Sequence, residues 1–149
     1  MESIKKAIEH YCSYQERCHS ETLDKLYKLG ADSEVANNLL AELISDNFIN
    51  EERFATAYAT GKFNMLRWGR IKIKQGLVFK KVSNYNIQKA LECIDENEYC
   101  KVISELINKK DRELKGVKPE RLKQAKIVNY LRQKGFELNL IAKSMNNKQ

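Results

Sequence analysis

Hydrophobic side chains recur along the chain at the spacing of one face of an α-helix. At the start of the chain, the positions i, i+3, i+4 and i+7 of such a face are occupied by Ile4, Ala7, Ile8 and Tyr11. Similar patterns continue toward the end of the sequence. The one stretch with two-residue alternation, residues 71–75, is too short to outweigh its helical neighbours. The pattern therefore predicts an all-α protein.

Residues typical of helix ends divide these patterns into separate helices. Gly30 and Gly135 follow apolar helical patterns and suit the left-handed position that ends a helix. Asp95 and Glu98 have the spacing of a capping box at the start of another helix. A further helix is predicted from about Trp68 to Phe79.

A spacing of about fifty residues indicates an internal repeat. Leu26, Leu77 and Leu131 each stand four residues before a predicted turn, at positions 30, 81 and 135. The sequence therefore predicts three repeats of three helices each, over residues 1–49, 50–95 and 96–149. Repeats of this kind bury their apolar faces against one another, which predicts a tandem, elongated and curved array.

Composition restricts the class of protein. The chain has 149 residues, of which 42% are hydrophobic, with one proline and six glycines, so disordered and collagen-like classes are excluded. The N-terminal residues lack the apolar core of a signal peptide, and no apolar run is long enough to span a membrane. We therefore expect a cytoplasmic protein with free thiols at its four cysteines. We expect a monomer, because no feature of the sequence demands a larger assembly.

Charge is distributed unevenly along the chain. The net charge is +7, but residues 1–52 carry a net charge of −6. Residues 53–91 carry nine basic side chains and no acidic one, with aromatic residues between them. Such a segment suits nucleic-acid phosphates or an acidic protein surface. A solvated helix face is the alternative, although such a face usually mixes both signs.

The basic segment supplies the candidate contact residues. They are Arg53, Lys62, Arg67, Arg70, Lys72, Lys74, Lys80 and Lys81. A second candidate surface consists of Lys118, Arg121, Lys123, Lys126 and Arg132. For these residues, a solvated helix face is an equal alternative. For Arg53, a structural ion pair and a binding role are equal alternatives.

The predicted helix over 68–79 arranges some of these residues on one face. Arg67, Arg70 and Lys74 have the spacing i, i+3, i+7 and are expected to point to a partner, whereas Ile71 and Leu77 turn toward the core. The single tryptophan, Trp68, suits the core, and stacking on a nucleic-acid base is the alternative.

Motifs for catalysis and metal binding do not occur in the sequence. There is no Gly-x-Ser-x-Gly, no His-Glu-x-x-His and no phosphate-binding glycine loop. Five residues separate Cys12 from Cys18, and six separate Cys93 from Cys100, gaps that do not match the usual zinc spacing. We therefore expect no enzyme activity, no cofactor and no metal.

Three stretches resemble the RecX family, the regulators of the bacterial recombinase RecA. Residues 17–30 resemble the Arg-x-x-Ser motif of the family's first repeat, followed by a leucine-rich helix and glycine. Residues 50–58, with Arg53-Phe-Ala and Tyr58, are similar to its acidic-x-Arg-Phe-Ala-x-x-Tyr/Phe signature. Residues 68–77 resemble its Gly-x-x-x-Ile-x-x-x-Leu helix. The sequence departs from the family at two places. Gly76 stands where the family usually has an acidic residue, and Lys80-Lys81 stands where it usually has a Lys-Gly turn.

The resemblance implies a partner and an activity. It implies a curved molecule of three-helix repeats that binds in the groove of the RecA–single-stranded DNA filament and lowers strand exchange and co-protease activity. A general single-stranded nucleic-acid-binding protein without a recombinase partner is the alternative, because the basic segment would serve it equally well. A third alternative is an interaction scaffold, in which the acidic first repeat of one chain pairs with the basic repeats of a neighbouring chain.

Overall fold

The computed structural model describes residues 2–147, and its regular secondary structure over this range is entirely helical. It contains α1 (Glu2–Tyr14), α2 (His19–Lys28), α3 (Ser33–Ser45), α4 (Glu51–Leu66), α5 (Arg70–Phe79), α6 (Asn84–Glu92), α7 (Glu96–Glu113), α8 (Glu120–Gln133) and α9 (Leu138–Asn147). No strand occurs among these described residues. The prediction of an all-α protein is confirmed.

The helix ends follow the local chemistry of the sequence. The carboxylate of Asp95 accepts a hydrogen bond of 2.9 Å from the Glu98 amide and so caps α7. Gly30 and Gly135 have φ angles of 100° and 98° just after α2 and α8. These three predicted ends are confirmed, because each uses a residue whose side chain or backbone freedom satisfies the exposed groups of a helix terminus.

The backbone packs into two compact units. The first comprises the described residues up to Tyr58 together with Gly76–Ala90, and the second comprises Ala59–Gln75 together with the described residues from Leu91 onward. Three helices lie in each of the predicted spans 1–49, 50–95 and 96–149. Because the two units share the middle span, the boundaries of the three repeats stay a prediction.

The core of each unit is formed by residues from several helices. In the first unit, the buried cluster on α1, α2, α3 and the segments that follow α2 and α3 consists of Ile8, Cys12, Leu26, Ala31, Ala36, Leu39, Leu43 and Ile49. In the second unit, α7 packs against α8 and α9. The Tyr99 ring lies there between Phe63 and Phe136, with ring centroids 5.7 Å and 5.2 Å away. Aromatic side chains of this size contribute much of the buried apolar area.

The helix α5 differs from its prediction in both start and orientation. It begins at Arg70 rather than Trp68. Ile73 and Leu77 are fully buried, whereas Ile71, which the sequence assigned to the core, is 45% exposed. The reason is that residues i and i+4 lie on one face of a helix, and Ile71 stands on the opposite side.

Candidate functional site

The link between α4 and α5 separates residues that the sequence placed on one helix. Arg67 has a φ angle of +55° and ends α4, with its amide 3.0 Å from the Phe63 carbonyl oxygen. Glycine usually occupies this left-handed position, which costs another residue about 1 kcal/mol. Arg67 therefore lies outside the helix that carries Arg70 and Lys74, and the predicted shared helical face is wrong.

Arg70 belongs to a network inside the second unit. Its guanidinium donates a 2.8 Å hydrogen bond to Glu137, pairs with Glu96, and lies 3.9 Å from the centroid of the Tyr99 ring. The Arg70 amide donates to the Tyr99 hydroxyl at 3.0 Å, and that hydroxyl donates to Glu137. Burial opposes the charge of Arg70, but the bonds to Glu137 and Glu96 outweigh it and raise the arginine pKa. Arg70 thus joins α5 to α7 and to the turn before α9.

The same network fixes the protonation of Tyr99. Burial, reinforced by the hydrogen bond to Glu137, raises the pKa of Tyr99 far above its ordinary value of 10.0. The tyrosine therefore remains a neutral hydrogen-bond donor throughout the physiological range. The Tyr99 ring packs between those of Phe63 and Phe136. Its hydroxyl accepts a hydrogen bond from the Arg70 amide at the start of α5 and donates one to Glu137 just before α9.

Two glycines bring the start of α5 against the turn between α8 and α9. The Gly69 amide donates to the Lys134 carbonyl at 2.7 Å, and the Ile71 amide donates to the Gly135 carbonyl at 2.9 Å. A methyl group added at Gly69 would lie 2.5 Å from the Phe136 nitrogen, and one added at Gly135 would lie 2.5 Å from the Lys72 nitrogen. This approach therefore requires glycine on both sides.

The approach assembles a group of cations, which we call the basic cluster: Arg67, Lys72, Lys109 and Lys134. The Lys134 ammonium donates to the Leu66 carbonyl at 3.0 Å. Burial lowers the pKa of Lys134, and the nearby charges of Lys72, Lys109 and Arg67 lower it further. Three positive groups, from the α4–α5 link, α5 and α7, therefore act on the Lys134 ammonium at the end of α8.

Other contacts hold individual members of the basic cluster in place. Arg67 pairs with Glu105 at 3.0 Å. The ammonium groups of Lys62 and Lys72 lie 4.9 Å and 4.6 Å from the centroid of the Trp68 ring. Trp68 is half-buried rather than enclosed in the core. The tryptophan therefore orients two lysines through cation–π contacts.

Arg53, the first candidate of the basic segment, makes contacts inside the first unit. Its Nε lies 2.7 Å and 2.8 Å from the two carboxylate oxygens of Glu16. Its Nη2 donates to the backbone carbonyls of both Asn47 and Phe48 at 3.3 Å. Of the two alternatives left open by the sequence, these contacts correspond to the structural ion pair, with the added task of satisfying carbonyls after α3.

The remaining residues of the basic segment occupy contrasting surroundings. The Lys80 ammonium lies 3.1 Å from a Glu21 carboxylate oxygen, and the Lys80 carbonyl accepts a 2.7 Å hydrogen bond from Ser20. Lys81 is exposed with a φ angle of 64° in the turn after α5, and Lys74 is exposed on α5. Glu21 of α2 and Glu16, which lies between α1 and α2, thus neutralise part of a segment that has no acids of its own.

The second candidate surface lies at and along α8. Four of its five residues are exposed: Lys118, Arg121, Lys126 and Arg132. Lys123 differs, because its side chain is only 15% exposed and pairs with Asp111 at 3.0 Å. The predicted surfaces did not connect Lys134 with Arg67 and Lys72, and they did not include Lys109, although all three charges lower the pKa of Lys134. Helical spacing gave no signal for them, since the glycine contact brings Lys134 to the α4–α5 link and the packing of α7 against α8 brings Lys109 into the same unit.

Neither a metal cluster nor a membrane-spanning helix occurs among residues 2–147. No group of three or more His, Cys, Asp or Glu side chains in this range is arranged to hold a metal ion. The four cysteines are free thiols; Cys12 and Cys18 are buried, whereas Cys93 and Cys100 are exposed. Within the same range, no helix has the length and apolar character needed to cross a bilayer.

Comparison with known folds defines the class of this molecule. It is similar to the crystal structure of RecX from Lactobacillus salivarius, with a TM-score of 0.89 and 25% identity, covering 98% of this chain and 94% of that one. A second crystal structure, of a regulatory protein RecX, has a TM-score of 0.87 at 24% identity and covers 97% of this chain and 70% of that chain. The fold is therefore that of the all-helical RecX proteins.

Sequence comparison points to the same proteins. Residues 50–91 match the family model described as RecX, second three-helix domain. The regulatory protein RecX of Oceanobacillus iheyensis is 29% identical over 89% of this chain and 48% of its own length. That of Streptococcus uberis is 28% identical over 89% of this chain and 50% of its own length. The chain thus spans about half the length of the curated relatives it matches, and these matches support a protein of the RecX family.

Proposed function

We propose that this protein is a non-enzymatic regulator of RecA, which binds the RecA–single-stranded DNA filament as a monomer in the cytoplasm and limits its recombinase and co-protease activities. The observation that carries the proposal is the similarity to RecX in fold over 98% of the chain, joined to the family match at residues 50–91. The relatives are named regulatory proteins.

The distribution of charge supports a role in binding. Lys74 is exposed on α5, and Arg67 has a side chain that is 44% exposed. Such groups can meet acidic protein surface or DNA phosphate without first breaking a buried network. Arg53 and Arg70 differ, because their guanidinium groups already satisfy carboxylates and carbonyls within the fold. The proposed contact residues of the basic segment are therefore Arg67, Lys62, Lys72, Lys74 and Lys81, whereas Lys80 already pairs with Glu21.

Binding to the filament can be measured by co-sedimentation with RecA assembled on single-stranded DNA. The test variant is the double charge reversal Lys72→Glu, Lys74→Glu. Arg70 is left intact, because its reversal would break the contacts to Glu137 and Tyr99. The control is Lys28→Glu, which changes an exposed lysine of α2.

We expect the natural chain to sediment with the filament, the control to match it, and the double variant to bind about tenfold or more weakly. Unchanged binding by the double variant would refute the assignment of the surface. Failure of the natural chain to bind at any excess would refute the proposed function. Binding to bare DNA that RecA does not enhance would favour the general nucleic-acid protein instead.

A further inference from the structure

We propose that the corner between α5 and α6 is a protein-docking surface, suited to an acidic segment that carries an apolar side chain. This surface, which we call the α5–α6 corner, consists of Val78, Phe79, Lys81, Tyr85 and Lys89, all within the first unit. The proposal rests on the proposed function, because the acidic segment is expected on RecA. It adds to that function an apolar contact that charge alone would not supply.

The corner exposes three apolar or aromatic side chains that stand close along the chain. Phe79 at the end of α5 is 86% exposed, and no large hydrophobic side chain among residues 2–147 is more exposed. Val78 beside it is 52% exposed, and Tyr85 in the first turn of α6 is 66% exposed. Single exposed apolar residues are common on proteins, but a group of them marks an interaction surface, and aromatic residues are frequent among those that dominate binding.

The turn between the two helices is fixed by hydrogen bonds and by buried side chains. The Lys81 amide donates to the Val78 carbonyl at 2.9 Å, and the Val82 amide donates to the Leu77 carbonyl at 3.1 Å. The side chains of Leu77 and Val82 are buried on either side of the exposed residues. Phe79 therefore projects from a backbone that is already ordered, so a partner that binds it pays little conformational entropy.

Lys81 occupies a backbone position that would suit glycine better. Its φ angle of 64° lies in the left-handed region, which glycine adopts without strain. Strained residues of this kind concentrate at functional sites. The Lys81 side chain is exposed and forms no ion pair within residues 2–147, whereas Lys80 beside it pairs with Glu21. Its ammonium group is therefore available to a carboxylate of another protein.

Two lysines give the rim of the corner a positive charge. Lys81 lies in the turn, and the Lys89 ammonium lies 5.7 Å from the centroid of the Tyr85 ring. The whole segment from residue 53 to residue 91 contributes no acidic side chain. An apolar centre with a polar rim is the usual anatomy of a protein interface, and the sign of the charge on this rim selects an acidic partner.

The composition of the corner favours a protein over a nucleic acid. Val78 has no π face on which a base could stack, and two lysines are fewer cations than a bound phosphate backbone normally engages. A standard protein interface buries about 800 Å² on each partner, which is more than three side chains provide. The corner therefore serves as the apolar anchor of a larger contact, to which the other proposed contact residues add charge.

Separate variants test the apolar and the charged parts of the corner. The double variant Phe79→Ser, Tyr85→Ser removes the two aromatic rings. Its matched control is Tyr14→Ser, Tyr27→Ser, which removes two exposed tyrosines from α1 and α2 of the same unit. A third variant, Lys81→Gly, removes the ammonium group and relieves the strained backbone. Each protein is measured by co-sedimentation with RecA assembled on single-stranded DNA, by anisotropy of a labelled bare thymidine oligonucleotide, and by urea unfolding.

We expect the Phe79→Ser, Tyr85→Ser variant to bind the filament about tenfold or more weakly, with unchanged affinity for the bare oligonucleotide and with the control equal to the natural chain. Lys81→Gly should unfold at a higher urea concentration than the natural chain. It should nevertheless bind the filament about two- to fivefold more weakly at low salt, a difference that shrinks as salt is added. A lysine with a purely structural role would not lose binding while the fold gains stability.

The outcomes separate this proposal from the proposed function. If the natural chain binds the filament and the Phe79→Ser, Tyr85→Ser variant binds it equally well, the corner is refuted and the regulation of RecA stands. If the natural chain does not bind the filament, both are refuted. Full filament binding by Lys81→Gly at low salt would contradict the acidic character of the partner segment.

Two other occupants of the corner would also overturn the proposal. An equal loss of affinity for the bare oligonucleotide in the Phe79→Ser, Tyr85→Ser variant would assign the corner to nucleic acid. A dimer of the natural chain in sedimentation velocity that this variant abolishes would assign it to a second copy of the protein.

Discussion

Gly69 offers a quantitative test of the contact that organises the second unit. Its replacement by alanine adds one methyl group without requiring an unusual backbone conformation. That methyl group would lie well under 3.0 Å from the backbone of Gly135 and 2.5 Å from the Phe136 nitrogen. Backbone atoms cannot move aside as the end of a flexible side chain can, so the start of α5 must separate from the turn after α8.

The expected cost follows from what that separation disrupts. Overpacking a tight contact costs about 1–3 kcal/mol. The hydrogen bonds from Gly69 and Ile71 to the 134–135 turn would lengthen, and each contributes about 0.5–1.5 kcal/mol. We therefore expect Gly69→Ala to lower the free energy of unfolding by about 2–6 kcal/mol, a large share of the roughly 5–15 kcal/mol of a typical domain.

Gly61 provides a control with the opposite sign. It lies within α4, and a methyl group added there would meet nothing within 4 Å. Alanine is favoured over glycine inside a helix by about 1 kcal/mol, so Gly61→Ala should stabilise the protein and raise its Tm by about 2–4 °C.

Both variants are compared with the natural chain by urea unfolding, followed by circular dichroism at constant pH. The midpoint of unfolding should shift in opposite directions, with little change in the dependence on urea. A Gly69→Ala protein as stable as the natural chain would refute the close approach. Equal destabilisation by both substitutions would show that the methyl group at residue 69 meets no specific obstacle.

Three further predictions concern single residues. Ile73→Ala should lower the free energy of unfolding by about 2–5 kcal/mol in a thermal or urea melt, because Ile73 is fully buried. Ile71→Ala should change it by less than about 0.5 kcal/mol, because Ile71 is 45% exposed. Equal effects of the two substitutions would contradict the orientation of α5. Arg53→Lys should destabilise by about 1 kcal/mol in the same melts, since lysine cannot reach Glu16 and the carbonyls after α3 together, and full stability would contradict that role. Above pH 10, stability should fall by up to about 1.4 kcal/mol per pH unit, because the unfolded chain releases the Tyr99 proton that the fold retains through its raised pKa. Urea midpoints measured across this pH range should decline less steeply for Tyr99→Phe, and identical slopes would argue against the network.

Local signals in the sequence were sufficient for the elements of the fold. Apolar spacing identified the helices, and Gly30, Gly135 and Asp95 marked ends that the structure confirms. These signals succeed because helix formation and capping depend on residues within one or two turns. The link at Arg67 was missed because glycine, not arginine, is the usual residue of a left-handed helix end.

The candidate site was harder to predict because its contacts are distant along the chain. Arg70 finds its carboxylates at Glu96 and Glu137, and Arg53 finds Glu16. A charge count within residues 53–91 cannot register acids that approach from other helices. The same limitation hid the influence of Lys109 on the pKa of Lys134, because the two residues lie on α7 and at the end of α8, which pack together.

Steady-state ATP hydrolysis by RecA on single-stranded DNA tests the central proposal most directly. The purified protein is titrated into the reaction, with the oligonucleotide in sufficient excess that coating of free DNA is excluded. We expect the rate to fall at substoichiometric protein, because one bound molecule that limits filament growth affects many RecA subunits. An unchanged rate up to a stoichiometric excess would contradict the proposed regulation of RecA.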